Sequence, residues 1–573
     1  MALSKKENAK RMRVTRKHAG AAYRSRDAAR KRKARFREPR PFLTMDFETD
    51  PFTLDWDQDI QPFYVHFYSE QLQINEGFWN EDGPALVKTT YDFLCSIKTP
   101  CLIYAHNGGR FDHKFLTLDG YIEGEVMFKG SGYMKAAVRG TEHELRDSYH
   151  LLPVPLAKLN KDQFDIQKCT KKRRNANRAE IIKYCANDCL YLHEAIKVSH
   201  SEFNIKLTIG QIARETLKKE YPEIENISEG LDAALRIYMR GGDVGCPRGS
   251  GIFEGIIRYY DVNSMYPYVM KTARHPIGSS YIFRGGKPSC VTYFLHIRCV
   301  SLGVLPFTGE DKKIFKPNDD IEREYFITIH EFNMAMKYGK LKNLKILECV
   351  DCLTSTTFER WVDKFYSLRL AAEERGAKYY AANYKSLLVN GFGKFAQNPR
   401  KFMEHYVTVK DENNMPTWPP DEVRKWVFDR AGDRCWIWQR KPAQENYYNV
   451  GTAASITGAA RAILMGLLII AGNSAIYHDT DSCLTQNFEF PSHLVDQHEL
   501  GKLKLEKTGD RFTTAGKKMY ELDGEVRSKG VKAKPGDMAR LVAGETITYR
   551  NLGPTFDKFG VQSYIKRRIK KTI

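Results

Sequence analysis

The sequence predicts a multidomain chain of mixed α/β and α+β class with two separate reaction centres. Three observations predict it. At 573 residues the chain exceeds what one hydrophobic core supports, so two to four domains are expected. Its composition, 42% hydrophobic and 12% aromatic, supplies real cores and excludes a disordered polymer. Short apolar segments ending in acidic residues alternate with helix-period segments, in a front half and again in a back half.

Charge narrows the partner. The net charge of +20 and pI near 9.2 point to a polyanion, with nucleic acid ahead of an acidic membrane surface. Residues 1–40 carry 16 Lys/Arg against 3 Asp/Glu, a net of +13, and leave only +7 for the rest. They read as a basic disordered arm: a solvated tail, a phosphate-gripping arm, a nuclear signal around Arg30–Lys33, or an organelle transit peptide. The twelve cysteines lack a regular framework, which favours a reducing compartment. Cys349 and Cys352 form a lone CxxC without a second ligand pair, so they read as strand residues. The longest apolar run, Ala462–Gly472, is too short to span a bilayer and reads as a buried helix started by Arg461, and no signal peptide is seen.

The elements follow in order. PFLTMDFETD (41–50) is a strand ending in acids. CLIYAHNGGRFDHKFL (101–116) is a strand, a polar glycine turn, then a helix. EIIKYCANDCLYLHEAI (180–196) is a helix with Ile181, Ile182, Cys185, Leu190 and Leu192 on an approximate apolar face. IRYYDVNSMYPYVM (257–270) is a strand running into a turn, residues 356–396 are two helices around Gly376, and residues 451–472 are a third helix. That helix leads into AIYHDTDSCL (475–484), read as a strand. On one strand Asp479 and Asp481 share a face, and two carboxylates so close demand a proton or a cation between them.

In the front half, Asp46 and Glu48 share a strand face, Asp112 follows the glycine turn, and Tyr184 and Asp188 lie one helical turn apart. Four carboxylates from three elements suit two divalent ions, which activate water and stabilise the leaving oxygen in phosphodiester hydrolysis. Tyr184 is positioned to orient that water, and Asn107 and Phe111 to hold a frayed strand by hydrogen bond and stacking. In the back half, Asp261 joins Asp479 and Asp481. Carboxylates with phosphate oxygens are magnesium's preferred shell, so this cluster suits a nucleoside triphosphate and in-line nucleotidyl transfer. Lys385 supplies charge for the triphosphate, and Tyr266 a ring under the sugar that excludes a 2′-hydroxyl.

The ordered set DFE, HNGGRFD, YCAND, YYDVNSMYP, KSLLVNGFGKFA and YHDTDS resembles family-B DNA polymerases with 3′–5′ proofreading, from about residue 41 to the C-terminus. The resemblance implies an RNase H-like exonuclease domain followed by a right-hand polymerase of palm, fingers and thumb with two insertions. It divides the chain into the arm (1–40), exonuclease (41–207), palm (208–272), a terminal-protein-region insertion (273–355), fingers (356–397), a second insertion (398–448), palm again (449–527) and thumb (528–573). It implies metal ligands Asp46, Glu48, Asp112 and Asp188 in one site, and Asp261 and Asp481 in the other, with Asp479 supporting. Two magnesium ions per site are implied, with manganese as a substitute. It implies nucleotide binding by Tyr266, Lys385, Asn390 and Phe392, and DNA binding by Asn107, Phe111, Ser148, Lys518 and Tyr520, the last two from KKMY (517–520).

The chain departs from the family pattern at Val389-Asn390, where Asn-Ser is usual, at Phe392 in place of Tyr, and in YMRGG (238–242), one residue longer than Y-x-G-G. Ser148 comes from RDSYHLLPVPLAKLNKDQF (146–164), similar to the family's single-strand-binding segment, and the lysine assisting hydrolysis is Lys168 or Lys171. The short front arm and both insertions resemble the protein-primed branch of small phages and linear plasmids. Its partners would be primer–template DNA, dNTPs, a terminal protein and a single-stranded-DNA-binding protein, with a monomer and no membrane. The location would be host cytoplasm, or nucleus or mitochondrion if the arm is a signal. The rivals are a nucleic-acid-primed family-B enzyme and a catalytically silent DNA-binding nucleoprotein. A reverse transcriptase is disfavoured, since it would lack the front acid set.

Overall fold

The structure is a computed structural model that describes residues 40–50, 60–158, 163–310, 314–410, 421–442, 446–531, 533–550, 555–563 and 566–570. The arm, apart from Arg40, lies outside the described residues.

The front half is built on a ten-stranded sheet. Its strand Phe42–Thr49 lies between Pro62–Ser69, antiparallel, and Leu102–Ala105, parallel, and Leu102–Ala105 lies parallel to Glu144–Asp147. FLTMDFET is buried almost throughout, as a central strand covered on both faces must be. Leu43, Met45 and Phe47 join a core with Leu86, Val87 and Leu94 of the helix Gly83–Ser96. The alternate set, Phe42, Thr44, Asp46 and Glu48, turns toward the helix Arg178–Glu202, where the Thr44 hydroxyl donates to the Cys189 carbonyl at 2.9 Å. That helix buries Ile181, Cys185, Asp188, Cys189, Leu192 and Ile196, a stripe at helical spacing.

The sheet does not end within the front half. Gly124–Lys129 pairs with Glu404–Val409, which pairs with Cys435–Arg440 and then Val427–Ala431, so the stretch 398–448 extends the front sheet rather than standing apart. The chain's last stretch also returns: Phe556 and Phe559 are buried in the front core with Phe115.

The back half rests on a seven-stranded antiparallel sheet ordered Glu525–Ser528, Met519–Leu522, Leu503–Gly516, Gly251–Val262, Ser482–Gln486, Ala475–Asp479, Val244–Gly245. Beneath it runs the helix Val450–Ala471, buried along most of its length. Composition alone would let this helix cross a membrane, but 78% of its apolar window is buried in protein. Arg461, just before the apolar run, lies mid-helix as the 451–472 reading implies, and is no cap: it is buried and bonded to Glu331 at 2.8 and 3.0 Å. Burying a guanidinium is affordable only with such a two-pronged partner. Glu331 belongs to the helix Ile329–Lys337 of the first insertion, which also carries a four-stranded sheet. Helices Glu359–Glu374 and Lys378–Asn390 form the hairpin around Gly376, whose φ of +68° fits the tight reversal.

Candidate active sites

The front carboxylates converge where the parallel strands end. Asp46 and Glu48 look from their strand onto Cys185, and oxygen or sulfur atoms of the three lie within 4.8 Å of one another. Asp112 opens the helix Asp112–Leu118 and accepts the Phe47 N–H at 3.1 Å, which ties it to the same strand. Asp188 is buried one turn beyond Tyr184. The Cys189 thiol, pushed up to about 11 chiefly by burial, also feels Asp46, Asp188 and Asp112. Burial likewise raises Asp112 to about 7. A set of acids gathered this closely around a buried Asp112 that holds its proton fits a divalent cation, which replaces the proton with charge.

Tyr184 is nearly buried and stacks on Phe164, with centroids 4.3 Å apart, so its ring direction is set. Asn107 is exposed at φ +59°, and its backbone N–H, with those of Gly109 and Tyr149, points to Asp147. Asp147 is the organiser that sequence reading missed, although it adjoins Ser148. A side chain at Gly109 would meet the Tyr133 carbonyl oxygen at 1.8 Å, so the turn requires glycine. Phe111 packs edge-on against Phe115 and Phe556, at 5.4 and 5.7 Å, and is not a free stacking platform. Ser148 requires a correction: it is fully buried, its hydroxyl donates to the Ala105 carbonyl at 3.2 Å and contacts His106 Nδ1 at 3.1 Å. In this structure it shapes the loop and has no surface open to a DNA strand. Its neighbour Tyr149, 40% exposed, is the ring the loop offers to solvent. Lys168 pairs with Glu180, and the Lys171 N–H faces Asp50.

In the back half the strand expected across Asp479 and Asp481 is instead a hairpin. Asp479 ends one strand and pairs with Ser482 of the next, with Thr480 and Asp481 as the turn. Thr480 takes φ +62°, which lets the chain reverse in two residues. The two carboxylates therefore diverge in role. Asp479 is held by Lys518 Nζ at 2.7 and 2.8 Å and accepts the Thr480 hydroxyl at 3.0 Å. Asp481 turns to Asp261, across from it on Gly251–Val262, and the Val262 N–H bonds the Asp481 carbonyl at 2.8 Å. Burial first and Asp481 second push Asp261 up to about 7, against Lys504 and Lys385. Burial, with Asp479, raises Asp481. An all-oxygen pair in mutual repulsion, ringed by lysines, fits a hard cation shared with a phosphate.

Tyr266 and Phe392, expected as nucleotide-binding residues, stack face to face with centroids 4.3 Å apart, although 126 positions separate them. Tyr266 also lies close enough to Asp481 and Asp479 to feel both. Lys385 is exposed and contributes to the field at Asp261. Asn390 turns its amide back to the Ser386 carbonyl at 2.8 Å. Tyr520 packs on Tyr477 and Phe512 beside the Lys518 pair.

Comparisons with known proteins identify the family and the fold. Residues 160–417 match the family described as DNA polymerase type B, organellar and viral. The chain is 32% identical to the DNA-directed DNA polymerase of Enterobacteria phage PRD1, over 94% of this chain and 100% of that protein. It is 25% identical to the DNA polymerase of Bacillus phage phi29, over 68% of this chain and 70% of that one. The fold is that of phi29 DNA polymerase solved with primer–template DNA: TM-score 0.70, 18% identity, covering 93% of this chain and 100% of that one.

Proposed function

We infer the mechanism from one premise: the chain belongs to the type-B DNA polymerases of organellar and viral kind. It is a DNA-directed DNA polymerase, and we assign template-directed synthesis to the back centre and 3′–5′ proofreading to the front one. The observation that carries the assignment is the convergence of Asp261, Asp481, Lys385 and the Tyr266–Phe392 stack from separate elements onto one surface.

In this reading Asp261 and Asp481 hold magnesium, two ions at work per site and manganese able to substitute. Bound there, the metal supplies Lewis acidity and charge neutralisation for in-line displacement. Lys385 meets the triphosphate. Tyr266 and Phe392 floor the nucleotide pocket, and the Tyr266 ring excludes a 2′-hydroxyl. Lys518 holds Asp479, and with it the catalytic turn, while Tyr520 flanks the primer end. In the front centre Asp46, Glu48, Asp112 and Asp188 hold the metal, Tyr184 orients the attacking water, and Asn107 and Phe111 border the strand end.

We further propose protein-primed replication of a linear viral or plasmid genome with strand displacement, a terminal protein as primer and a single-stranded-DNA-binding protein as helper. The enzyme would work in the host cytoplasm, or in a nucleus or mitochondrion if the basic arm is a signal. The first insertion supports this reading by exposing the apolar side chains of Ile282, Phe283, Ile314, Phe315, Ile321 and Leu353, which a protein partner could cover.

The test uses the purified chain, magnesium, four dNTPs and a primed single-stranded circle, without helper proteins. Products longer than one circle are expected from strand displacement. Products that stop at one circle favour the nucleic-acid-primed rival. No incorporation by folded protein overturns the catalytic reading in favour of a silent nucleoprotein.

A further inference from the structure

The catalytic hairpin is gripped from behind by residues outside the polymerase motifs. The segment after YMRGG runs along the Asp479 strand: Val244 pairs with Asp479 and Gly245 with His478. The Thr480 N–H donates to the Asp243 carbonyl at 2.7 Å, so the turn between the two acids is fastened to Asp243 backbone. A side chain at Gly242 would meet Thr480 Oγ1 at 2.5 Å, and one at Gly245 would meet His478 Cε1 at 2.7 Å. The segment thus follows the hairpin at glycine distance.

The Asp243 side chain adds a second hold. Its carboxylate lies 3.2 Å from His478 Nε2, next in sequence to Asp479, and is ion-paired with Lys316. Lys316 belongs to the first insertion, just after its short strand Ile314–Phe315. The insertion reaches the same region by three more links. Arg461, bonded to Glu331, donates to the carbonyls of Arg240 and Gly241 at 2.7 and 3.0 Å, and Arg240 donates to the Pro306 carbonyl at 2.6 Å. Lys517 Nζ, beside the Lys518 that holds Asp479, donates to the Ile314 carbonyl at 3.2 Å. Asp243 accepts from both sides, one bond to the insertion and two to the hairpin.

We propose that Asp243 is a positioning residue of the polymerase centre, and that the Lys316–Asp243–His478 chain ties the placement of Asp479 and Asp481 to the first insertion. A partner that shifts the insertion would then reach the catalytic acids through this chain rather than through DNA. The proposal rests on the assignment of synthesis to Asp261 and Asp481.

The test compares Asp243→Ala, Asp243→Asn, Lys316→Ala and Lys316→Arg in the full chain, by single-nucleotide incorporation on primed DNA and by degradation of single strands. Displacing catalytic groups by an ångström costs on the order of a hundredfold, so Asp243→Ala should lower kcat roughly ten- to a hundredfold. KM for the dNTP and single-strand degradation should stay near wild type. Lys316→Ala should lower kcat less, Lys316→Arg should restore it, and Asp243→Ala with Lys316→Ala should be no worse than Asp243→Ala alone. Wild-type kcat in Lys316→Ala, or additive losses in the double variant, would overturn the chain. If Asp243→Ala also loses degradation through misfolding, Asp243→Asn and the variants of the partly exposed Lys316 carry the test. A wild-type enzyme inert on primed DNA would instead sink the functional reading itself.

Discussion

The two acidic clusters hold the same kind of side chain in opposite settings. In front, Glu48, Asp112 and Asp188 are each less than 7% exposed, with Asp46 half-buried beside them, and a thiol and a backbone N–H are among their neighbours. Behind, Asp261 and Asp481 sit half-exposed on adjoining strands, with Lys385, Lys504 and Lys518 acting on them. The difference follows from what each must admit. A frayed strand brings one phosphodiester to the reacting atoms, and a pair of divalent cations matches the charge of four acids, leaving only that single charge over. A triphosphate brings several negative charges of its own, so its site needs protein cations beyond the metals and an opening wide enough for a nucleotide. The counter-charges around a carboxylate cluster therefore report the charge of its substrate.

The sharpest way to break this comparison is to disable one cluster at a time. Asp481→Asn should lower incorporation by about a hundred- to a thousandfold and leave single-strand degradation intact. Asp46→Ala with Glu48→Ala should do the reverse, with a loss of similar size, and should raise the error rate of synthesis. Gel assays on a primed template and on a labelled single strand read both. If either change removed both activities, the clusters would not be separate centres.

A smaller effect separates the clusters by pH. Asp112 and Asp261 are each held up to about 7, by burial in both cases and by Asp481 in the second. A carboxyl whose folded value exceeds its unfolded one keeps its proton in the native state, so the stability it lends is full below about 4 and is lost as pH rises toward 7. Without metal, the protein should therefore lose thermal stability between pH 4 and 7. Magnesium, which takes the proton's place, should raise Tm more at pH 8 than at pH 6. Asp261→Asn should remove part of that pH dependence. Melting curves with magnesium or with EDTA decide it, and an equal magnesium shift at both pH values would contradict the proposed ligand role.

Much of this architecture was legible in the sequence because period and punctuation report backbone directly. PFLTMDFETD reads as a strand ending in acids, the Ile181–Cys185–Leu192 spacing as a helix face, and Gly376 as the break between two helices. The site residues were legible as sets of acids in order. What escaped was whatever depends on a distant partner. DTD reads as strand because apolar residues flank it, yet Thr480 at φ +62° makes a turn whose N–H is held by Asp243, far upstream. Arg461 reads as the cap of the apolar run 462–472 because a lone charge before such a run resembles a boundary, and only Glu331 in the first insertion explains its burial. Residues 398–448 give no hint that Glu404–Val409 will pair with Gly124–Lys129, since a strand's own sequence carries no mark of its partner.

The smallest expected effects test the mouth of the front cluster, where Ser148 and Tyr149 are adjacent but opposite in setting. Ser148 is buried and spends its hydroxyl on Ala105 and His106, whereas Tyr149 presents its ring to solvent at an edge contact with His106, 5.7 Å away. Ser148→Ala removes internal hydrogen bonds and should cost about 1 kcal/mol of stability, with KM for a single strand unchanged. Tyr149→Ala should leave Tm unchanged and raise that KM by about fivefold, the lower end of what one base stacked on one ring contributes. Measured together, the pair separates the residue that builds the loop from the residue that uses it. If Ser148→Ala shifted KM and Tyr149→Ala did not, the strand would have to enter by another face, and the buried front cluster would need a different opening from the one Tyr149 borders.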